Sequence, residues 1–262
     1  MRSEPDPAVA KALASLPADA VAANDLYAST AVSVDEGGRA IEFGCRLLAP
    51  VKIEPGRKYP LVVFLHGAGE RGADNVLQLK YLPAWLAVPA ARERHPCFVL
   101  APQCRMDERW VDVSWADKTS MPRAAEPTTD LRAVMAMLEA VLNDEPIDPD
   151  RVYLTGISMG GFGTWDLASR MPDRFAALLP ICGGGDERTA ARIAGIPTWV
   201  VHGDADKAVP VERSRSMVKA LEAAGGRPKY VEMPGVGHDT WTPTYHDPAA
   251  LDWLFAQRRQ SK

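Results

Sequence analysis

An α/β fold with a mostly parallel central sheet is predicted by three observations. Short apolar runs recur along the chain, helical stretches separate them, and no linker, repeat or low-complexity tract breaks the alternation. The 262 residues, 47% apolar and 24% charged, suffice for one large domain with a substantial core. The division expected is an N-terminal arm over residues 1–26, poorly ordered or a short surface helix, and a single α/β domain over 27–262.

The elements follow in order. Ala31–Val34 and Ala40–Leu48 flank Asp35-Glu36-Gly37-Gly38, a turn signal for an antiparallel hairpin at one sheet edge. Leu61–Leu65 is a continuous apolar run between Pro60 and His66-Gly67, the pattern of a strand buried on both faces. Phe98–Ala101, Val152–Thr155, Ala176–Ile181, Thr198–Val201 and Tyr230–Met233 read as further short strands. Asp130–Leu142, Gly161–Ser169, Val211–Ala224 and Pro248–Arg258 read as helices. Thr128 or Thr129 caps the first of these, and Gly225-Gly226 ends the third.

Bulk properties exclude several classes. A net charge of −4 and a pI near 5.8 provide no basic stripe for nucleic acid or an acidic membrane surface. No apolar run approaches the roughly 20 residues that cross a bilayer. Met1–Asn24 lacks a basic segment followed by an apolar one, so no signal peptide is read there. A cytoplasmic enzyme and the mature form of a secreted one both fit. Cys45, Cys97, Cys104 and Cys182 form no C-x-x-C pair, and no histidine stands at zinc-finger spacing. Free thiols in or near the core, and no metal, are expected.

Tyr153 to Gly161 holds G-x-S-x-G at Gly156, Ser158 and Gly160, between a β-branched strand and a helix. A strand-to-helix turn this sharp strains the central serine and leaves no room for side chains two residues either side. It lifts the Ser158 hydroxyl above the sheet, with the Met159 amide and the helix N-terminus facing the same space. Ser158 is the candidate nucleophile.

Leu65-His66-Gly67-Ala68-Gly69-Glu70-Arg71-Gly72 follows the buried strand. Gly67 and Gly69 are read as letting the backbone turn the Ala68 N–H toward a developing oxyanion, with Met159 N–H as second donor. His66 is read as scaffold, because a strand end is rigid. The same stretch spells G-x-G-x-x-G, but the next strand ends Ala101-Pro102-Gln103 without the acid that holds a ribose, so a dinucleotide site is disfavoured.

The stretch from Trp199 to Pro210 begins as a strand and ends as a polar loop in which Asp204 or Asp206 could orient a base. Of five histidines, only His238 joins a glycine-flanked loop, a position after the last strand and the order Ser…Asp…His. His202 is read as structural, and Asp239 as an exposed neighbour of the base.

These segments together resemble the α/β-hydrolase superfamily. More narrowly they look like bacterial esterases similar to polyhydroxybutyrate-depolymerase-like proteins and feruloyl esterases. The resemblance spans about Val32 to Arg258 and rests on the H-G-A-G-E-R-G loop, the Ala101-Pro102-Gln103 strand end, the G-I-S-M-G-G elbow and the H-G-x-x-D-x-x-V-P segment. It implies an α/β-hydrolase fold without a large lid, and it places the acid at Asp206. It also implies a serine esterase acting through an acyl-enzyme, without cofactor, on a small-molecule ester. Trp110 and Trp241, on loops near the predicted site, are candidate substrate contacts favouring short-chain acyl or aromatic-acid esters, while Trp165 is read as core. A peptidase or amidase on the same scaffold, a polyester depolymerase and a catalytically dead binding protein stay open as alternatives.

Overall fold

The computed structural model describes residues 7–259. Two short helices, α1 (Pro7–Ser15) and α2 (Ala18–Asn24), open it. The predicted arm is thus helical in this part, and Ala20 and Ala23 are buried. The hairpin follows as β1 (Tyr27–Glu36) and β2 (Arg39–Leu48), fully paired from Tyr27↔Leu48 to Glu36↔Arg39. Its two-residue turn puts Gly37 at φ +63° and Gly38 at +87°, the left-handed region where a side chain is strained.

The rest alternates: β3 (Tyr59–Leu65), α3 (Leu82–Ala87), α4 (Pro89–Arg94), β4 (Phe98–Pro102), α5 (Thr129–Asp144), β5 (Ile147–Ile157), α6 (Met159–Arg170), β6 (Ala177–Ile181), α7 (Ala190–Ile193), β7 (Trp199–Gly203), α8 (Glu212–Ala223), β8 (Lys229–Met233), α9 (Trp241–His246) and α10 (Pro248–Ala256). Thr128 caps α5, its Oγ1 accepting from Leu131 N at 3.1 Å. Among the described residues eight strands form one sheet in the order β1-β2-β4-β3-β5-β6-β7-β8, antiparallel at β1-β2-β4 and parallel from β4 through β8.

The period of two in β3 divides its side chains between two core layers. Leu61, Val63 and Leu65 pack with residues of α5, α6 and α8, whereas Val62 and Phe64 pack with residues of α2, α3, α9 and α10. Leu61 through Leu65 are all 0% exposed, so each large side chain contributes roughly 1.5–3 kcal/mol of burial. That explains why the strand reads as an unbroken apolar run. The four cysteines are buried and unpaired.

Strand order also locates the site. From β3 the chain moves outward to β4, then returns across β3 to β5 and continues the other way. The reversal leaves a crevice at the carboxyl ends of β3 and β5, where open α/β sheets bind ligands. The loop of Gly67 leaves one of these ends and Ser158 the other.

Candidate active site

Ser158 sits between β5 and α6 at φ +53°, ψ −117°, a conformation that costs on the order of 1–3 kcal/mol without a glycine. The surroundings enforce it. Ser158 N donates to Ile181 O at 3.0 Å, and Phe162 N donates to Ser158 O at 3.2 Å. A Cβ on Gly160 would lie 1.8 Å from Leu65 O, and one on Gly156 would lie 2.3 Å from Gly160 O. Both flanking glycines are therefore steric necessities.

His238 reaches this serine from the loop after β8. Gly203 allows it, because a Cβ there would meet Val236 O at 2.2 Å and Gly237 O at 2.4 Å. Ala205 N donates to Val236 O (3.1 Å) and Gly235 N donates to the Asp204 carboxylate (2.7 Å), stitching the loops after β7 and β8 together. Asp204 thus serves loop structure. Asp206 faces the imidazole: His238 Nδ1 lies 2.6 Å from Asp206 Oδ2, and His238 Nε2 lies 2.9 Å from Ser158 Oγ. An ionised carboxylate only accepts, so Nδ1 carries the proton and Nε2 is left to accept from the serine hydroxyl.

The Asp206 side chain is 0% exposed. Burial works against its charge, yet hydrogen bonds from His202, His238 and the amides of Val209 and Ala208 hold the carboxyl well below the usual range. Oδ1 accepts from Ala208 N (2.8 Å) and Val209 N (3.0 Å), leaving Oδ2 to the histidines. His202, read from sequence only as structural, touches the carboxylate directly: its Nε2 is 3.2 Å from Asp206 Oδ2 and 3.0 Å from Val209 O. Facing two acceptors, that nitrogen must bear hydrogen. Asp239 instead accepts from Thr242 N and Oγ1, both at 3.0 Å, at the start of α9.

The loop after β3 is pinned from β4. Gln103 Nε2 donates to Glu70 O and Asp74 Oδ1 at 3.1 Å, Gln103 Oε1 accepts from Asn75 N at 2.6 Å, and Gly72 N donates to Cys104 O at 2.9 Å. The strand-end glutamine is thus a brace that sequence reasoning quoted without assigning a role. Ala68 begins a short 3-10 turn (Ala68–Glu70) and Met159 begins α6. The first N–H of such a turn has no partner inside it, which leaves both amides available to an oxyanion. At Gly67 (φ −77°) a Cβ would press on Glu70 Oε2 at 3.1 Å, whereas Gly69 faces open space.

His66 is fully buried, with Nδ1 2.6 Å from Gly67 O and Nε2 accepting from Cys104 N at 2.9 Å. Burial depresses its pKa to about 4, so the ring is a neutral strut. Trp110 stands against this strut, ring centroids 5.1 Å apart, and its indole N–H donates to His66 O at 3.0 Å. At 1% exposure Trp110 is core, which corrects the expectation that it lines a substrate pocket. Trp165 is equally buried. Trp241 is different: half-buried, it sets its ring edge-on to His238 (5.2 Å, 88°) and to Tyr81 (5.6 Å).

Cys182, Asp206 and His238 bring ligand-type atoms within 4.8 Å of one another. The imidazole and carboxylate of this group are already committed to each other and to Ser158, and burial pushes the Cys182 thiol far above its ordinary range.

An eight-stranded sheet of this order, a strained serine on its central elbow and a serine–histidine–aspartate chain of hydrogen bonds define the α/β-hydrolase fold. Residues 49–247 match the phospholipase/carboxylesterase family model, and the chain belongs to that family. A solved structure of a thermostable esterase superposes with a TM-score of 0.80 at 42% identity, covering 90% of this chain and 64% of that one. A probable carboxylesterase of Oryza sativa subsp. japonica is 27% identical over 204 residues, 72% of this chain and 75% of that protein. Poly(3-hydroxyalkanoate) depolymerase C of Paucimonas lemoignei is 30% identical over 126 residues, 48% of this chain and 28% of the depolymerase. The chain spans between 21% and 28% of the length of the first curated relatives it matches.

Proposed function

We propose that this chain is a serine esterase that hydrolyses carboxylic esters of small molecules through an acyl-enzyme. The observation that carries the reading is the bridge made by one imidazole, 2.9 Å from Ser158 Oγ and 2.6 Å from Asp206 Oδ2. In the proposed reaction His238 Nε2 takes the hydroxyl proton as Ser158 Oγ bonds to the ester carbonyl carbon. The Ala68 and Met159 amides hold the oxyanion, and Asp206 stabilises the imidazolium. His238 returns the proton to the leaving alcohol as the C–O bond breaks. Water then repeats the sequence, releasing the acid and restoring the serine. Membership in a carboxylesterase family and the likeness to a thermostable esterase support the ester as substrate.

The half-exposed aromatic surface of Trp241 and Tyr81 beside the base supports short-chain acyl or aromatic-acid esters. A panel of acetyl, butyryl, palmitoyl and feruloyl esters, with Ser158→Ala as control, tests both levels. Activity on the short or aromatic esters, absent in the control, is expected. A preference for palmitoyl overturns the substrate class, and faster turnover of the matching amides overturns the esterase reading.

A further inference from the structure

One buried imidazole takes no part in the proposed reaction and still touches its acid. His202, near the end of β7, is 0% exposed, and both of its ring nitrogens have polar neighbours. Nε2 lies 3.0 Å from Val209 O and 3.2 Å from Asp206 Oδ2. Its hydrogen is therefore shared between a peptide oxygen and the catalytic carboxylate. Val209 itself returns to that carboxylate, its N donating to Asp206 Oδ1 at 3.0 Å. One ring N–H thus steadies Asp206 by two routes, directly at one oxygen and at the other through the turn of Val209.

The far side of the ring is anchored as firmly. Nδ1 lies 2.7 Å from Ser214 Oγ of α8, and that hydroxyl lies 3.1 Å from Gly183 O, beyond the end of β6. Ser214 is buried. Gly183 in turn presses on α6, since a Cβ there would lie 2.5 Å from the carbonyl carbon of Gly161, three residues after the nucleophile. A chain of contacts therefore runs from Asp206 through His202 and Ser214 to the backbone beside the elbow. His238, by contrast, stands on the loop after β8 with its side chain 27% exposed. Of the two imidazoles at Oδ2, one is fixed in the scaffold and the other is the base. Packing alone would be served better by an apolar side chain of similar size, because every buried polar atom must be satisfied.

We infer that His202 is a positioning residue for catalysis: its Nε2–H, braced from Ser214, fixes the Asp206 carboxylate in the orientation that receives His238. The role rests on the esterase reading, whereas the chain of contacts does not.

The test pairs two polar replacements in the full-length protein. In His202→Gln the amide nitrogen falls near the place of imidazole Nε2 and keeps a donor for Asp206 and Val209. In His202→Asn it falls near the place of Nδ1 and cannot reach them. Tm, kcat and KM on one ester, and the rate of Ser158 labelling by a fluorophosphonate probe are measured for each. In His202→Asn, labelling and kcat are expected to fall about tenfold to a hundredfold, the range for one hydrogen bond to a charged group, with KM within about twofold. His202→Gln is expected to recover both rates to within about threefold of wild type. A merely structural ring would lower Tm in the variants and leave the rate per folded molecule intact. That result overturns the proposal, as do equal rate losses in the two variants. Should His202→Asn fail to fold, Ser214→Ala carries the comparison: loss of the brace behind Nδ1 is expected to slow labelling at least about threefold, and an unchanged rate overturns the proposal. In the wild type, nitrogen-resolved NMR is expected to find hydrogen on His202 Nε2, and a bare Nε2 overturns it as well. No labelling of the folded wild type defeats the esterase reading itself. Equal labelling of wild type and His202→Asn defeats only the role of His202.

Discussion

His202 and His238 meet at a single oxygen of Asp206, one at 3.2 Å and the other at 2.6 Å. The second carboxylate oxygen is filled by two backbone amides, so Asp206 accepts from four donors and has no capacity for a fifth role. Asparagine cannot substitute. Its one oxygen would satisfy either the amides or the histidines, and its NH2 would then face donors. Asp206→Asn is expected to lower kcat by about 10⁴ through the wrong imidazole tautomer, with the fold retained. Asp204→Asn keeps an oxygen for Gly235 N and should stay within a few-fold of wild type. Parallel kcat measurements on the two variants check the assignment, and equal losses would refute it.

Glycines of the two catalytic loops should differ sharply in tolerance. Gly160→Ala drives a methyl into the Leu65 carbonyl, 1.8 Å away, and neither backbone can retreat without moving β3 or α6. A loss above about 4 kcal/mol, or failure to fold, is expected. Gly69→Ala meets nothing within 4 Å at an ordinary φ and should be neutral within about 0.5 kcal/mol. Denaturant midpoints of the two variants read this directly.

The buried strut His66 makes stability depend on pH. Its folded pKa of about 4 lies below the ordinary 6.5, so the unfolded chain binds a proton across that interval while the native protein does not. Its contribution is complete above pH 6.5 and is lost as pH falls toward 4, amounting to about 3 kcal/mol. Urea unfolding at steps from pH 7 to 4 should show this slope, and His66→Gln should flatten it. An unchanged slope in the variant would contradict the account.

Two tryptophans should separate by readout. Trp110→Phe loses the bond to His66 O in the core, and is expected to lower Tm while the ratio of rates on feruloyl and acetyl esters stays constant. Trp241→Ala removes the ring edge-on to His238, and is expected to change that ratio several-fold with a small change in Tm.

The contrast between these tryptophans shows what sequence could and could not reveal. Both follow a strand end at the carboxyl edge of the sheet, and nothing in the sequence around them tells them apart. The path of the segment between Gln103 and Thr128 buries one, and α9 presents the other. Strands such as Leu61–Leu65 were legible because burial on both faces demands an unbroken apolar run. Ser158 was legible because its backbone strain demands glycine on both sides. By contrast α3 and α4, six residues each and separated only by Val88, are too short to display a helical period, and α7 and α9 are similar. The contact of His202 with Asp206 spans four residues of strand end and loop, where spacing carries no rule. Arg213 sits in a helix whose pattern announces only one inward face, and the carbonyls it reaches, those of Ser114, Asp117 and Gly185, come from other segments of the chain.

The central claim is that His238 activates Ser158 toward a carbonyl or phosphoryl centre. Intact-mass and peptide mapping after reaction with a fluorophosphonate probe tests it most directly. The account predicts one adduct on Ser158 in wild type, none in Ser158→Ala, and labelling slowed by orders of magnitude in folded His238→Ala. No adduct on the folded wild-type protein, or an adduct elsewhere that persists in Ser158→Ala, would contradict it.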